Sequence, residues 1–238
     1  MDNRYSRSSE RYLTTNVRRA PVFAPRRKTS AKAIALALVL VALAFGASRI
    51  VSLMPGSAAA TDAIPLQSTP VSEWEKGSMP YLYQTDPAWS NEPYAGGTVE
   101  ENGCGPTCLA MVYVDLTGRK NLDPAGMAAF SEEDGHADSG MTSWTLMTDG
   151  AAKLGLASEE LPADESSVLS ALSQGRPVIC SVGPGDFTTT GHFIVLAGLD
   201  GSGRVSVHDP NSEERSHQAW DVGRILSQCR NLWAFSAA

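Results

Sequence analysis

From Ala33 to Ser48 every position is apolar or small (AIALALVLVALAFGAS), and beyond Arg49 the run resumes as Ile50-Val51-Ser52-Leu53-Met54 until Pro55-Gly56 stops it. Crossing hydrocarbon takes about 20 residues at about 1.5 Å of rise each, so residues 33–54 read as one transmembrane helix with Arg49 snorkelling to the interface. Residues 55–78 lose that pattern and are rich in Pro, Gly, Ser, Ala and Thr, the composition of a linker. A folded domain is expected over 79–238, and its first half has a helical period. Cys104, Cys108, Met111 and Val112 recur at i, i+4, i+7 and i+8, and Gly118 closes that helix. Asn121-Leu122-Asp123-Pro124 reads as a cap followed by Pro in the first turn of a short helix ending near Phe130. A third helix is expected from Thr142 to Leu154, ended by Gly155, and a fourth from the cap Asp164 to Gly175.

After Gly175 the period changes. Pro177-Val178-Ile179-Cys180-Ser181-Val182 and His192-Phe193-Ile194-Val195-Leu196-Ala197 are short apolar or β-branched runs bounded by Gly and Pro. Residues 204–208 alternate, and Leu199 to Gly203 (LDGSG) between these runs carries a hairpin turn signal. A short helix around Val222 to Ser227 and a last strand, Leu232 to Phe235, complete the pattern. Helices first and an antiparallel sheet afterwards define the α+β class. No fixed internal period points to a repeat architecture.

Charge adds topology. Residues 1–32 hold nine Lys/Arg against Asp2 and Glu10, a net of +7 in a chain of −7, which leaves −14 for the remainder. A basic head of this kind could contact nucleic acid. Directly before an apolar run it reads instead as the signal that keeps residues 1–32 in the cytoplasm and sends the domain outward. No nucleic-acid partner is expected. Ala58-Ala59-Ala60 resembles the small-x-small site of a signal peptidase, so the helix is either an uncleaved anchor or is removed after Ala60. Either way the domain lies outside the cytoplasm, on a single-pass membrane protein or secreted.

The candidate chemistry centres on Cys104 in Asn102-Gly103-Cys104-Gly105-Pro106-Thr107. Small neighbours allow a sharp turn and a close approach, and Pro106 suits a first helical turn. Cys104 therefore sits at a helix N-terminus, where unpaired N–H groups and the dipole favour the thiolate, the reactive form. Taken alone, such a cysteine is as readily a buried or disulfide-bonded one. His192 stands at the mouth of an apolar strand, and seventeen residues on Asp209 follows the end of the next. Across a hairpin, strand start and strand end lie side by side. Asp209 can then hold one ring nitrogen of His192 and leave the other for the sulfur, an arrangement of nucleophile, base and orienter.

Tyr83-Gln84-Thr85-Asp86-Pro87-Ala88-Trp89, Asn91-Glu92-Pro93-Tyr94, Gly96-Gly97-Thr98 and Gly103-Cys104-Gly105-Pro106-Thr107 together resemble the bacteriocin-leader-processing (double-glycine) cysteine peptidases of bacteria, closest to stand-alone members without a transporter. The resemblance continues through Gly175-Arg176-Pro177-Val178-Ile179, Gly191-His192-Phe193 and His208-Asp209-Pro210, covering residues 79–210 in order. It implies a papain-like fold, with N-terminal helices packed on an antiparallel sheet, and a peptide or protein substrate. It also implies a Cys104-His192-Asp209 triad, with Gln84 as a side-chain donor to the oxyanion.

Where many relatives have Ser or Ala this chain has Cys108, read as a small buried residue. Cys180 and Cys229 are candidates for a disulfide in an oxidising compartment, but four cysteines allow three complete pairings and the choice stays open. His136, His208 and His217 lack metal-ligand spacing, so no metal or other cofactor is expected. The leading expectation is peptide-bond hydrolysis through a thioester. A cell-wall amidase or acyl transferase could use the same three groups, and a module that keeps the fold could bind without turnover.

Overall fold

The computed structural model describes residues 66–238. The basic tail 1–32, the apolar run 33–54 and the small-residue site ending at Ala60 lie outside the described residues. Among the described residues no helix is long and apolar enough to cross a membrane.

The end of the stretch read as linker is packed onto the domain. Thr69 exchanges backbone and hydroxyl hydrogen bonds with Tyr81, Ser68 Oγ accepts from the Tyr83 amide at 2.9 Å, and Trp74 is 1% exposed. Composition misleads here because Ser and Thr hydroxyls satisfy an irregular backbone, and one Trp suffices to anchor it. The first elements are a two-residue hairpin, β1 (Pro93–Tyr94) and β2 (Gly97–Thr98), and the short helix α1 (Val99–Asn102), closed by a capping box between Thr98 and Glu101. Helix α2 (Cys104–Thr117) follows at once and ends where Gly118 adopts the left-handed conformation, φ 71°. Residues Gly105 to Val114 are all buried, so α2 is apolar on every face and lies inside the molecule. Helix α3 (Pro124–Glu133) is capped by Asp123, whose carboxylate accepts from the Gly126 amide at 2.8 Å.

The expected helix from Thr142 to Leu154 is broken. After the hairpin β3 (Ala137–Asp138) and β4 (Met141–Thr142), a 3-10 turn, Trp144–Met147, is separated from α4 (Asp149–Lys153) by Thr148 at φ −114°, ψ −80°. Ser143 caps the turn and Asp149 restarts the helix, so two weak starts replace one continuous element. Strand β5 (Leu156–Glu160), the Asp164-capped helix α5 (Glu165–Ser173), and strands β6 (Val178–Val182), β7 (His192–Leu199) and β8 (Val205–His208) come next. Helix α6 (Glu213–Ser216), strand β9 (Ala219–Trp220), helix α7 (Val222–Leu226) and strand β10 (Cys229–Ala237) end the chain.

The main sheet is wholly antiparallel, in the order β5-β10-β6-β7-β8-β9. Alternate residues divide between two cores. Ile179, Phe193, Val195, Trp233 and Phe235 face α2, while Val178, Cys180, Ile194, Leu196 and Leu232 face the side covered by α5 and α7. Both faces are therefore buried. This explains why the central strands read as continuous apolar runs rather than as an in-out alternation.

Candidate active site

Gly103 is at once the last cap of α1 and the first of α2, and a Cβ built there would lie 2.5 Å from the Val99 carbonyl oxygen. A Cβ on Gly105 would meet Thr142 side-chain atoms at 2.7 Å. Both flanks of Cys104 are glycine because backbone and neighbour approach closer than any side chain permits. Cys104 thereby occupies the first position of a fourteen-residue helix, among its unpaired N–H groups.

His192 opens β7, which pairs with β8 at Val195–His208. Past that pair the first turn of β7 and the residue following β8 share one end of the ladder. There His192 Nε2 meets Asp209 Oδ1 at 2.8 Å, which leaves Nδ1 as the ring nitrogen for the Cys104 sulfur on the same cleft. Asp209 is 1% exposed and both of its carboxylate oxygens are engaged. Oδ1 also takes the Asn211 amide at 2.8 Å, and Oδ2 takes Arg215 Nε at 2.5 Å. Arg215 lies on α6, an element the sequence pattern does not reveal, and nothing in its spacing marks it as a partner of Asp209.

The electrostatics follow from these contacts. Burial alone would push the Cys104 thiol up, but the hydrogen bond and charge of His192, with the Phe193 and Gly105 backbone, hold it below its ordinary 9.0. Burial would depress His192, yet its bonds to Asp209 and Cys104 and their negative charge raise it to about 9. Burial would raise Asp209, and the His192 bond, Arg215 and the Asn211 amide together keep it below the usual carboxylate range. The shifts favour a thiolate facing an imidazolium.

Cys104 and His192 line a cleft of about 430 Å³ with Ser181, Thr142, Met141 and Trp144. Met141 is 64% and Trp144 47% exposed, and Trp144 stands edge-on to Trp233 with ring centroids 5.6 Å apart. A larger hollow of about 870 Å³ adjoins the cleft through the shared Glu101, Asn102 and Gly140.

Gln84 is buried on the loop before β1. Its Nε2 donates to the Glu100 carbonyl at 2.6 Å, its backbone amide donates to Pro210 at 2.8 Å, and its Oε1 has no partner. It is not among the residues that line the cleft. Cys108 is fully buried one turn along α2, and burial pushes its thiol well up, so it stays protonated. His136 lies between Asp134 (2.7 Å) and Thr145 (2.8 Å), a buried clip between the end of α3 and the 3-10 turn. Among the described residues no group of three His, Cys, Asp or Glu is placed to hold a metal ion.

The model of the Peptidase_C39 like family matches residues 77–236. Among solved structures, the peptidase domain of Streptococcus ComA, a bi-functional ABC transporter involved in a quorum sensing pathway, aligns at 20% identity and a TM-score of 0.44. That alignment covers 57% of this chain and 92% of the other, a likeness too distant to carry an argument. No curated protein matches the chain.

Proposed function

Because the chain belongs to the Peptidase_C39 like family, we propose that it is a papain-like cysteine peptidase with Cys104 as nucleophile, His192 as base and acid, and Asp209 as orienter. The observation that carries this reading is the His192 ring held between Asp209 at 2.8 Å and the Cys104 sulfur at a helix N-terminus. The Cys104 thiolate attacks the scissile carbonyl carbon. The oxyanion that forms is met by the unpaired Cys104 backbone N–H at the start of the helix. His192 Nδ1 passes its proton to the leaving amine, the C–N bond breaks and a thioester remains. His192, now neutral, takes a proton from water, the hydroxide adds to the thioester, and the thiolate leaves with the ring protonated again.

Met141 and Trp144 supply the apolar wall against which a substrate side chain packs. Large apolar groups left this exposed beside a nucleophile favour a ligand that covers them. The same reading puts the domain outside the cytoplasm, supported by the +7 head before the apolar run. The test is steady-state hydrolysis of an internally quenched peptide library. Turnover that disappears in Cys104→Ala supports the reading, and turnover that survives it removes Cys104 from the mechanism.

A further inference from the structure

Two sulfurs meet on the face of the sheet opposite Cys104. Cys180 is central in β6 and fully buried, while Cys229 begins β10 and is half-buried. Their Sγ atoms are 3.4 Å apart.

The register explains the meeting. Leu232 pairs with Cys180 and Asn231 with Ser181, so an unbroken ladder would set Arg230 opposite Val182 and turn Cys229 to the other face. Instead Cys229 itself pairs with Val182, and Arg230 is the extra residue of a bulge. A one-residue slip exchanges the two faces of a strand. Here it turns Cys229 onto the face that carries Val182 and Cys180, two positions away along β6. Without the bulge the pair could not form.

We propose that Cys180 and Cys229 are a disulfide site that, once oxidised, ties the C-terminal strand to the strand pairing with His192. The structure thereby brings one pair together and leaves the other two cysteines out of it. Cys104 is engaged with His192, and Cys108 packs in the core on the α2 side.

The two thiols have unequal roles. Cys229 lines a small surface hollow with Gly183, Pro184 and Arg230, so an oxidant reaches it first. The hydrogen bond from Cys180 lowers the Cys229 thiol, whereas burial raises Cys180 well above an ordinary thiol. The Cys229 thiolate attacks a sulfur of an external disulfide, whether low-molecular-weight or on an oxidoreductase, and displaces one thiolate from it. The Cys180 sulfur gives up its proton and attacks Cys229 Sγ, expelling the second thiolate. Two electrons and two protons pass to the oxidant, which becomes two thiols. Because Val182 pairs with His192, the strand held in this way is the one that supports the base.

The test uses the full-length chain in detergent, treated with glutathione disulfide, unfolded, alkylated and mapped without reduction. A cross-linked peptide joining Cys180 to Cys229 is expected, with a melting midpoint on the order of 5–10 °C above the reduced chain and no such gain in Cys229→Ser. Linkage through Cys104 or Cys108 would overturn the proposal, as would full alkylation of Cys180 and Cys229 after oxidation. A linked chain that melts no higher than the reduced one would overturn the tying role. None of these readouts depends on peptidase activity.

Discussion

The Asp209 carboxylate makes three hydrogen bonds, one each with His192, Asn211 and Arg215, so each can be weighed separately. A charge-assisted hydrogen bond is worth about 1.5–3 kcal/mol, and about 1.4 kcal/mol is tenfold in rate. Asp209→Asn, which holds the ring but stabilises its cation less, is expected to slow kcat by roughly tenfold to a hundredfold. Arg215→Gln is expected to cost about tenfold in kcat with KM unchanged, since the guanidinium touches Asp209 and not the substrate. Cys104→Ala is expected to lose several orders of magnitude, and Cys108→Ser to keep most of the rate. Quenched-peptide kinetics on folded variants orders all four. An inactive Cys108→Ser beside an active Cys104→Ala would mean the wrong nucleophile. The rate should also fall as pH rises through about 9, where His192 loses its proton, and on the acid side where Cys104, lowered from 9.0, regains one. The placement of Cys104 at a helix start and the meeting of His192 with Asp209 were legible in the sequence because each sits at the end of an element whose period is strong. Arg215 was not, because it reaches Asp209 from a four-residue helix with no apolar pattern.

Elements marked by caps were the ones read most accurately. Asp123 and Asp164 start α3 and α5 as expected, and Gly118 ends α2. Those signals are local. Strands β5 and β9 and the two small hairpins were missed because their residues are polar or few, and the sheet, not their own sequence, makes them strands. The break at Thr148 has a consequence for the cleft, since it frees Trp144 from a continuous helix and leaves it on the wall. Trp144→Ala is expected to raise KM about tenfold with little change in kcat, because the ring binds ground state and transition state alike. Gly105→Ala should destabilise the domain by about 1–3 kcal/mol in denaturant melts, as its methyl meets Thr142 at 2.7 Å, and Thr142 is bonded to the Tyr94 hydroxyl at 2.9 Å.

For the molecule as a whole, two buried histidines set opposite slopes of stability against pH. His208, stacked on Tyr81 at 3.9 Å, is held down to about 4 by burial, which outweighs its bond to the Pro80 carbonyl. It stays neutral when folded, while the unfolded ring protonates near 6.5, so its contribution is intact above about 6.5 and drains as pH falls toward 4. His192, raised to about 9, contributes fully below about 6.5 and loses that contribution as pH rises through about 9. Thermal midpoints should therefore peak near pH 6.5, with His208→Gln flattening the acid side and His192→Gln the alkaline side. The fold class was legible from the change of period at Gly175, whereas the burial of both sheet faces was not, since helices on two sides leave no alternation to read. The central claim is that one sulfur, set at a helix N-terminus and paired with His192, is the peptidase nucleophile. It is tested most directly by labelling the full chain with a thiol-directed peptide inhibitor and mapping the adduct. The account predicts one adduct per chain, on Cys104, formed far more slowly in His192→Ala. An adduct on Cys108 or Cys229, or a rate indifferent to His192, would contradict it.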